Sequence, residues 1–306
     1  MRVLNQMGSR ITTAIQAAVP DVEVVEVPWE GELPDVEADV LVTLHRSANL
    51  PELARRVPWF HSFSTGVDGI PPEVFDGRVV TCSRGASAVP ISEYVLAAML
   101  AFEKRLPQSW SREPPEHWGW ATDHGTLEGK TLGVVGLGSI GGGVAARALP
   151  FGMDVRAVRR TAAPSPVEGV TVVGDLDSLL PHADHLVVAA PATARTRHLL
   201  DEHAFEMVKP GVHLVNIARG TLVDQDALRA ALDDGRVALA TLDVCDPEPL
   251  PAGHWLYEHP KVRLSAHISW ASPKMVDTIV ELFVANLRRY AAGEPLEGVV
   301  DPVEGY

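Results

Sequence analysis

The length, composition and charge of this chain are those of an ordinary globular protein. It has 306 residues, of which 46% are hydrophobic and 22% charged, and this length suits two domains better than one compact core. The formal net charge of −14 disfavours nucleic acid or anionic lipid as a partner. Cys82 and Cys245 give neither a disulfide framework nor metal-ligand spacing, so no metal site is expected.

No segment suggests a membrane or secreted protein. The longest apolar run, residues 94–102, is far too short to cross a bilayer. The opening residues, MRVLNQMGSR, lack the apolar core of a signal peptide. We therefore expect a cytoplasmic protein with no membrane partner.

Short apolar runs alternate with helical patterns over the first 90 residues. This alternation indicates a parallel sheet with helices on its faces. The predicted strands are RVLNQ, DVEVVEV, ADVLVTL, WFHSFS and RVVTCS.

A stronger helical pattern follows, and then an irregular connector. Ile91, Val95, Ala98 and Phe102 recur on one helical face, with Pro90 near the first turn. The connector carries three tryptophans, and two interpretations stay open: a ring closes a substrate pocket, or the rings only pack the hinge. The tryptophans are Trp110, Trp118 and Trp120.

A second alternating series begins near residue 129. Its predicted strands are 131–135, 154–158, 170–173, 185–190, 212–217, 237–242 and 262–265. The last helix is predicted to begin at Ser272-Pro273 and to stop at Gly293.

We therefore predict an α/β protein with two doubly wound parallel-sheet domains. A Rossmann dinucleotide-binding domain, 93–274, is inserted in a flavodoxin-like substrate domain. That substrate domain comprises 1–92 and is completed by 275–306.

A glycine-rich motif directly follows the strand TLGVV and opens a helix. Its glycines allow a tight turn, approach of a pyrophosphate to the backbone, and close packing of helix on strand. The predicted cofactor-binding residues here are Gly136, Gly138, Ser139, Ile140 and Gly141. A tight turn without a ligand is the alternative, and Gly142 and Gly143 suggest very close packing of the helix.

The residue after the next strand predicts which dinucleotide binds. Arg159 follows Gly138 by 21 residues, where an acidic residue usually accepts hydrogen bonds from the adenosine ribose. An arginine removes that acceptor and can bind a 2′-phosphate, so we predict that NADPH is favoured over NADH, with Arg160 as a further donor. The alternative is that both arginines are solvated and either cofactor is accepted.

Polar residues follow three later strands, in the stretches LVNIARG, LDVCDPEPL and LSAHISW. Ligands bind outside the carboxyl ends of parallel strands, so Arg219, Glu248 and His267 are expected to meet there. Arginine can hold a carboxylate, histidine can deliver a proton, and glutamate can charge the imidazole. Each residue taken singly is as readily a loop or surface residue.

The chain resembles the D-isomer-specific 2-hydroxyacid dehydrogenase family over essentially its full length, in a branch like the glyoxylate/hydroxypyruvate reductases. The motifs that carry the resemblance are HSFSTGVDGI, SRGASAVPISEYVLAAMLAF, GLGSIG, APATARTRHLL, VNIARGTLVDQDAL, ALATLDVCDPEPLP and SAHIS. Such an ordered series is far more specific than any single motif.

The resemblance implies a role for each matched position. Arg219, Glu248 and His267 would be catalytic, and Thr65, Gly66 and Val67 would bind the substrate carboxylate together with Arg219 and His267. Asp243 would orient the nicotinamide carboxamide. The other implied cofactor contacts are Pro191, Thr196, Ile217, Ala218, Arg219 and His267. The resemblance also implies domain closure and a homodimer built on the cofactor domains.

These observations favour a reductase that converts a 2-oxo acid to a D-2-hydroxy acid with NAD(P)H. Members of the formate dehydrogenase branch carry glutamine where this chain has Glu248, so the carboxylate favours the hydroxyacid reaction. Two alternatives stay open: a dinucleotide-sensing, corepressor-like scaffold, and a phosphoglycerate dehydrogenase. The candidate residues for substrate selection are His45, Arg46, Arg84, Trp120 and Trp270.

Overall fold

The computed structural model describes residues 1–114, 118–119, 123–161 and 163–306. The chain divides into two compact units. One comprises Met1–Ser87 with Ser272–Tyr306, and the other comprises Ala88–Ala271. Among the described residues, no helix is long and apolar enough to cross a membrane.

The first unit contains a five-stranded parallel sheet of order β2-β1-β3-β4-β5. Its elements are β1 (Arg2–Asn5), α1 (Ser9–Ala18), β2 (Glu23–Glu26), β3 (Val40–Thr43), α2 (Leu50–Ala54), β4 (Trp59–Ser62), β5 (Val79–Cys82) and α7 (Met275–Ala292). All five strands predicted in this part of the chain are present.

Helices cover both faces of this sheet because successive strand residues point to opposite sides. Leu4 packs in a cluster with Leu50 and Leu53 of α2. Its neighbour Val3 packs in a second cluster with Ile15 of α1 and Phe283 of α7. The C-terminal helix therefore completes the fold begun by the N-terminal residues.

The second unit contains a seven-stranded parallel sheet of order β12-β11-β10-β9-β6-β7-β8. The strands are β6 (Thr131–Val135), β7 (Asp154–Val158), β8 (Val170–Val173), β9 (His185–Val188), β10 (Val212–Asn216), β11 (Val237–Leu242) and β12 (Val262–Leu264). The helices are α3 (Ala88–Glu103), α4 (Ser139–Ala148), α5 (Glu202–Met207) and α6 (Gln225–Asp233). The order reverses at β6, which is the switch point of a Rossmann sheet. The predicted fold class is confirmed.

The boundary between the two units differs from the prediction, which began the dinucleotide-binding domain at residue 93, within α3. Helix α3 lies wholly in the second unit, because Ile91 and Val95 pack in one cluster with Leu132 and Val134 of β6.

The start of the last helix also differs. It begins at Met275 rather than at Ser272-Pro273. Ser272 O accepts the Met275 N–H at 3.2 Å, so residues 272–274 form a preceding turn, and Lys274 is the N-cap. Gly293 ends that helix in a left-handed conformation, φ 70°, as predicted.

The connector between α3 and β6 leaves aromatic surface in solvent. Trp110 is 68% exposed and Trp118 is 83% exposed, so neither ring is buried as hinge packing requires. Trp120 lies outside the described residues.

Candidate functional site

The turn between β6 and α4 leaves no room for side chains at two of its glycines. Gly136 has φ 98°, and a Cβ there would lie 2.6 Å from the Ala190 backbone nitrogen. A Cβ on Gly141 would lie 2.0 Å from Gly136 O. By contrast, a Cβ on Gly138 would lie within 4 Å of no atom in the part of the chain that the structure describes, so the open side of the turn can admit a ligand.

The first turn of α4 faces that open space. Its N-cap is Gly138, and no side chain caps the helix. The N–H groups of the first turn, which includes Ser139 and Ile140, therefore suit an anion such as a pyrophosphate.

Helix α4 also packs on α3 near Gly143. An ideal Cβ on Gly143 would lie 3.4 Å from both Ala88 O and Ser92 Oγ of α3. A side chain at position 143 would be in ordinary van der Waals contact with α3, so the packing of α3 on α4 does not by itself require a glycine there.

A cationic side chain stands at the carboxyl end of β7. Arg159 directly follows Val158, whose carbonyl accepts the Gly136 N–H at 2.9 Å. Arg159 Nη1 donates to Pro164 O at 2.9 Å, and the side chain is half-buried, while Arg160 is exposed. The residue predicted to select the dinucleotide thus lies next to the glycine turn.

The loop after β9 is braced from within. Thr196 Oγ1 donates to Pro191 O at 2.7 Å and accepts the Thr193 N–H at 2.8 Å. The Thr196 hydroxyl is therefore occupied by its own loop, and Pro191 is exposed.

The three predicted catalytic residues follow three neighbouring strands. Arg219 follows β10, Glu248 follows β11, and His267 follows β12. These strands are adjacent in the sheet, and they are parallel, so their carboxyl ends share one edge.

His267 and Glu248 form a hydrogen-bonded pair. His267 Nδ1 lies 2.9 Å from Glu248 Oε2, and the side chains are 36% and 33% exposed. Glu248 Oε1 accepts the Cys245 N–H at 3.1 Å. Partial burial raises the pKa of Glu248, but the hydrogen bonds from His267 and Cys245 outweigh it, so the pKa lies below its usual value. A charged carboxylate thus holds one imidazole nitrogen and leaves Nε2 for a substrate.

The segment that carries His267 is built around Asp243. Its carboxylate accepts the Ser265 hydroxyl at 2.6 Å and the N–H groups of Ile268 and Ser269, each at 2.9 Å. Its carbonyl accepts the His267 N–H at 2.8 Å. Asp243 is only 1% exposed, and although burial raises its pKa, these hydrogen bonds hold it below the usual value.

His267 itself has φ 54°, a left-handed conformation that residues other than glycine rarely adopt. The four hydrogen bonds of Asp243 stabilise it in this conformation. Sequence reasoning missed this role, although an acidic residue at the end of a buried strand was a signal for it.

Arg219 and Glu248 lie on loops whose backbones touch. A Cβ on Gly220 would lie 1.9 Å from the Cys245 carbonyl carbon. Only glycine therefore allows this approach. Arg219 Nη1 donates to Ala218 O at 2.6 Å, and the Asn216 side chain accepts the Ala218 N–H at 3.1 Å and donates to Arg219 O at 2.9 Å. Ile217 and Ala218 are buried beneath this loop.

The predicted substrate-binding loop belongs to the first unit and follows β4. Ser64 Oγ donates to Gly66 O at 2.8 Å, and Thr65 Oγ1 donates to Ser83 O at 3.2 Å. Val67 is buried, and Thr65 and Gly66 are half-buried. The backbone at this turn is accordingly held from both sides.

Among the described residues, no group of three or more His, Cys, Asp or Glu side chains is placed to hold a metal ion.

The sheet order and the glycine turn at its switch point define a dinucleotide-binding dehydrogenase fold. Residues 96–269 match the sequence model of the D-isomer specific 2-hydroxyacid dehydrogenase NAD binding domain. The chain belongs to the D-isomer-specific 2-hydroxyacid dehydrogenase family, in the branch that resembles glyoxylate/hydroxypyruvate reductases.

Three relatives illustrate the similarity. Glyoxylate/hydroxypyruvate reductase A of Yersinia enterocolitica is 32% identical over 222 residues, covering 72% of this chain and 69% of that protein. Glyoxylate reductase of Thermococcus litoralis is 33% identical over 274 residues, covering 84% and 82%. The crystal structure of a D-isomer specific 2-hydroxyacid dehydrogenase from Xanthobacter autotrophicus Py2 in complex with NADPH and MES has a TM-score of 0.86 at 28% identity, covering 100% and 99%.

Proposed function

We propose that this protein reduces a 2-oxo acid to a D-2-hydroxy acid, and catalyses the reverse oxidation, with a nicotinamide dinucleotide. The observation that carries the proposal is the 2.9 Å hydrogen bond between His267 and Glu248, on the same edge of the sheet as Arg219. A proton donor, a carboxylate that charges it, and a carboxylate-binding arginine are the groups this reaction needs.

The residues of the β6–α4 turn suit the dinucleotide. Gly138 leaves open space, and the uncapped N-terminus of α4 offers N–H groups to the pyrophosphate. Asp243 has a second role in this proposal, because its Oδ2 accepts the Ser269 N–H and retains capacity for the carboxamide. Pro191, Thr196, Ile217 and Ala218 would line the remainder of the groove.

When bound, the nicotinamide supplies a hydride to the carbonyl carbon of the substrate. As the carbonyl oxygen gains the electron pair of the breaking π bond, His267 donates its Nε2 proton to that oxygen and the hydroxyl forms. Glu248 accepts from Nδ1 throughout and stabilises the positive charge on the ring before transfer. Arg219 binds the substrate carboxylate, and its fixed fork suits a bidentate contact.

We further propose that the backbone at Thr65, Gly66 and Val67 binds the substrate carboxylate. The family resemblance supports this assignment, as does the way in which Ser64 and Thr65 side chains hold the turn.

We propose that NADPH is preferred over NADH. Arg159 stands at the carboxyl end of β7, beside the glycine turn, where an acid would repel a 2′-phosphate. A charge-assisted hydrogen bond to phosphate contributes about 1.5–3 kcal/mol, or roughly ten- to a hundredfold in affinity. The NADPH bound by the Xanthobacter relative supports the same preference.

A homodimer is part of this proposal. Trp110 and Trp118 expose large apolar rings, 68% and 83%, on the connector, and exposed apolar surface of this kind is typical of protein interfaces. Sedimentation of the purified chain as a dimer is expected, and sedimentation as a monomer would contradict it.

The test is a panel of 2-oxo acids that includes glyoxylate and hydroxypyruvate, assayed at one pH with NADPH and with NADH. We expect turnover of at least one small 2-oxo acid and a higher kcat/KM with NADPH. Absence of turnover together with tight dinucleotide binding would favour the scaffold alternative. Oxidation of 3-phosphoglycerate alone would favour the phosphoglycerate dehydrogenase alternative.

Arg159→Asp tests the cofactor assignment within that panel. The variant should shift the ratio of kcat/KM values toward NADH by about tenfold or more, because it restores an acceptor for the ribose and repels phosphate. An unchanged ratio would show that Arg159 does not contact the dinucleotide.

A further inference from the structure

The loop that carries Glu248 is held by a side chain from α6. Gln225, the first residue of α6, donates from Nε2 to Asp246 O at 2.5 Å. Its Oε1 accepts the Asp246 N–H at 3.3 Å. One amide side chain therefore binds both backbone groups of a single residue, as a strand partner would.

This contact connects the two loops that carry the proposed catalytic groups. Asp246 is flanked by Cys245, whose N–H donates to Glu248 Oε1 at 3.1 Å. On the other side of the contact, α6 follows the loop of Arg219 and Gly220 after a single turn. Gln225 thus joins the arginine loop to the loop of the imidazole–carboxylate pair.

The glycine contact alone does not keep the two loops together. The backbones of Gly220 and Cys245 are in close contact because Gly220 has no side chain, and no hydrogen bond joins these two residues. The directional interactions between α6 and residue 246 are those of Gln225. A side chain at position 225 that made only van der Waals contact would not fix the position of the 245–248 loop relative to Gly220.

We propose that Gln225 is a positioning residue that holds Glu248 in hydrogen-bonding distance of His267. The inference rests on the proposed function, in which that pair handles the proton. Gln225 acts on the reaction only through the 245–248 loop.

Cys245 provides a measure of loop position that does not depend on turnover. Its thiol is partly buried in this loop, and burial together with the Glu248 and Asp246 carboxylates raises its pKa to about 11. Cys82, the other cysteine, is buried. Alkylation of the folded protein at neutral pH therefore reports on Cys245, and it should accelerate when the loop is displaced, because the thiol loses the burial that contributes most to its raised pKa.

The experiment compares Gln225→Met, which keeps the length of the side chain but neither hydrogen bond, with the wild type. Ala230→Met, at an exposed position of the same helix, is the matched control. Four quantities are measured: the pH profile of kcat, the KM for the 2-oxo acid, the dissociation constant of NADPH, and the rate of Cys245 alkylation by iodoacetamide.

We expect Gln225→Met to lower kcat about tenfold or more, since a displaced Glu248 no longer orients the imidazole that donates the proton. The pH profile of kcat should differ from that of the wild type, because Glu248 no longer accepts the hydrogen bond from His267 Nδ1. KM and the NADPH dissociation constant should change less than about twofold, and alkylation should accelerate several-fold. Ala230→Met should match the wild type in all four measurements.

An unchanged pH profile and an unchanged alkylation rate in a folded Gln225→Met protein would overturn the proposal. If that variant does not fold, Gln225→Asn, which keeps the amide but is one methylene too short to reach both groups, is measured in the same way. If the wild type reduces no 2-oxo acid, the proposed function fails and the alkylation rates alone decide whether Gln225 holds the loop.

Discussion

His267 occupies a left-handed backbone conformation within hydrogen-bonding distance of Glu248. This strain is retained because Asp243 accepts three hydrogen bonds from residues 265–269 with its carboxylate and one with its carbonyl. The buried Asp243 therefore determines the orientation of the His267 backbone and, with it, the position of the imidazole.

The first prediction concerns proton transfer by His267. His267→Ala should lower kcat for 2-oxo acid reduction by roughly 10²–10⁴-fold, the usual contribution of a positioned acid or base. NADPH affinity, measured by fluorescence titration, should change much less than kcat. Near-normal turnover in a folded variant would remove His267 from the mechanism.

The second prediction uses the thiol beside Glu248. Partial burial and two carboxylates raise the pKa of Cys245 to about 11. Cys245 should therefore be alkylated at pH 7.5 more than about tenfold more slowly than free cysteine. Glu248→Gln removes a charge while it keeps the acceptor for the Cys245 N–H, so alkylation should become faster.

Mass spectrometry of the labelled protein measures these rates, and the control is the rate in the urea-unfolded chain. A Glu248→Gln rate equal to that of the wild type would mean that the Glu248 carboxylate does not act on the thiol.

At the scale of elements, the β6–α4 turn separates two uses of glycine. Gly136 needs its positive φ and its missing side chain to form the turn at all, whereas Gly138 leaves space that no atom of the described residues fills. The first glycine is therefore required by the fold, and the second is the one that the proposed function assigns to the dinucleotide.

The third prediction contrasts two substitutions in this turn. Gly138→Ala should leave the melting temperature within a few degrees of the wild type, yet weaken NADPH binding by about tenfold, because the methyl group occupies the approach of the pyrophosphate. Gly136→Ala should reduce the free energy of unfolding by more than about 2 kcal/mol, from the left-handed strain and the contact with Ala190.

Thermal unfolding and calorimetric titration of both variants measure these effects. The assignment fails if Gly138→Ala binds NADPH as tightly as the wild type.

At the scale of the whole molecule, each unit buries a neutral histidine. In the first, His61 is fully buried against Thr81 and Ser83, and burial lowers its pKa to about 3. In the second, burial and the neighbouring positive groups hold the pKa of His213 well below its usual value. Both imidazoles are uncharged in the native protein at neutral pH.

The fourth prediction is that acid destabilises the protein before its carboxylates titrate. The unfolded chain binds a proton at these histidines below pH 6.5, but native His61 does so only near pH 3, so stability is complete above 6.5 and falls as the pH decreases. Each such histidine contributes a slope of up to about 1.4 kcal/mol per pH unit. Urea unfolding between pH 7 and 5 measures the slope.

His61→Asn, which keeps a polar group beside Thr81, is the comparison for this slope. The unfolding free energy of the variant should depend less steeply on pH, by an amount that corresponds to at most one proton. A slope as steep as that of the wild type would show that His61 does not contribute.

Much of the fold and of the site follows from local patterns in the chain. Apolar runs predicted all twelve strands of the described residues within two residues at their ends, because a buried parallel strand needs a continuous apolar segment. The placement of Arg219, Glu248 and His267 after neighbouring strands also followed from sequence, since parallel strands direct their carboxyl ends to one edge.

Other features depend on contacts between residues that are distant in the chain. Gln225 binds the backbone of Asp246, and Asp243 organises residues 265–269. An acidic residue at the end of a buried strand is a signal at Asp243, but the local sequence does not identify the partners of Asp243 or of Gln225.

The difference between the two groups of features has a physical reason. Whether a segment forms a strand or a turn is determined by the side chains and dihedral angles of a few consecutive residues, which the sequence displays directly. Which side chain reaches which backbone is determined by the packing of whole elements to within a fraction of an ångström. The fold class and the candidate chemical groups therefore follow from local patterns in the chain, whereas the contacts that hold those groups in place arise from the packing of distant elements.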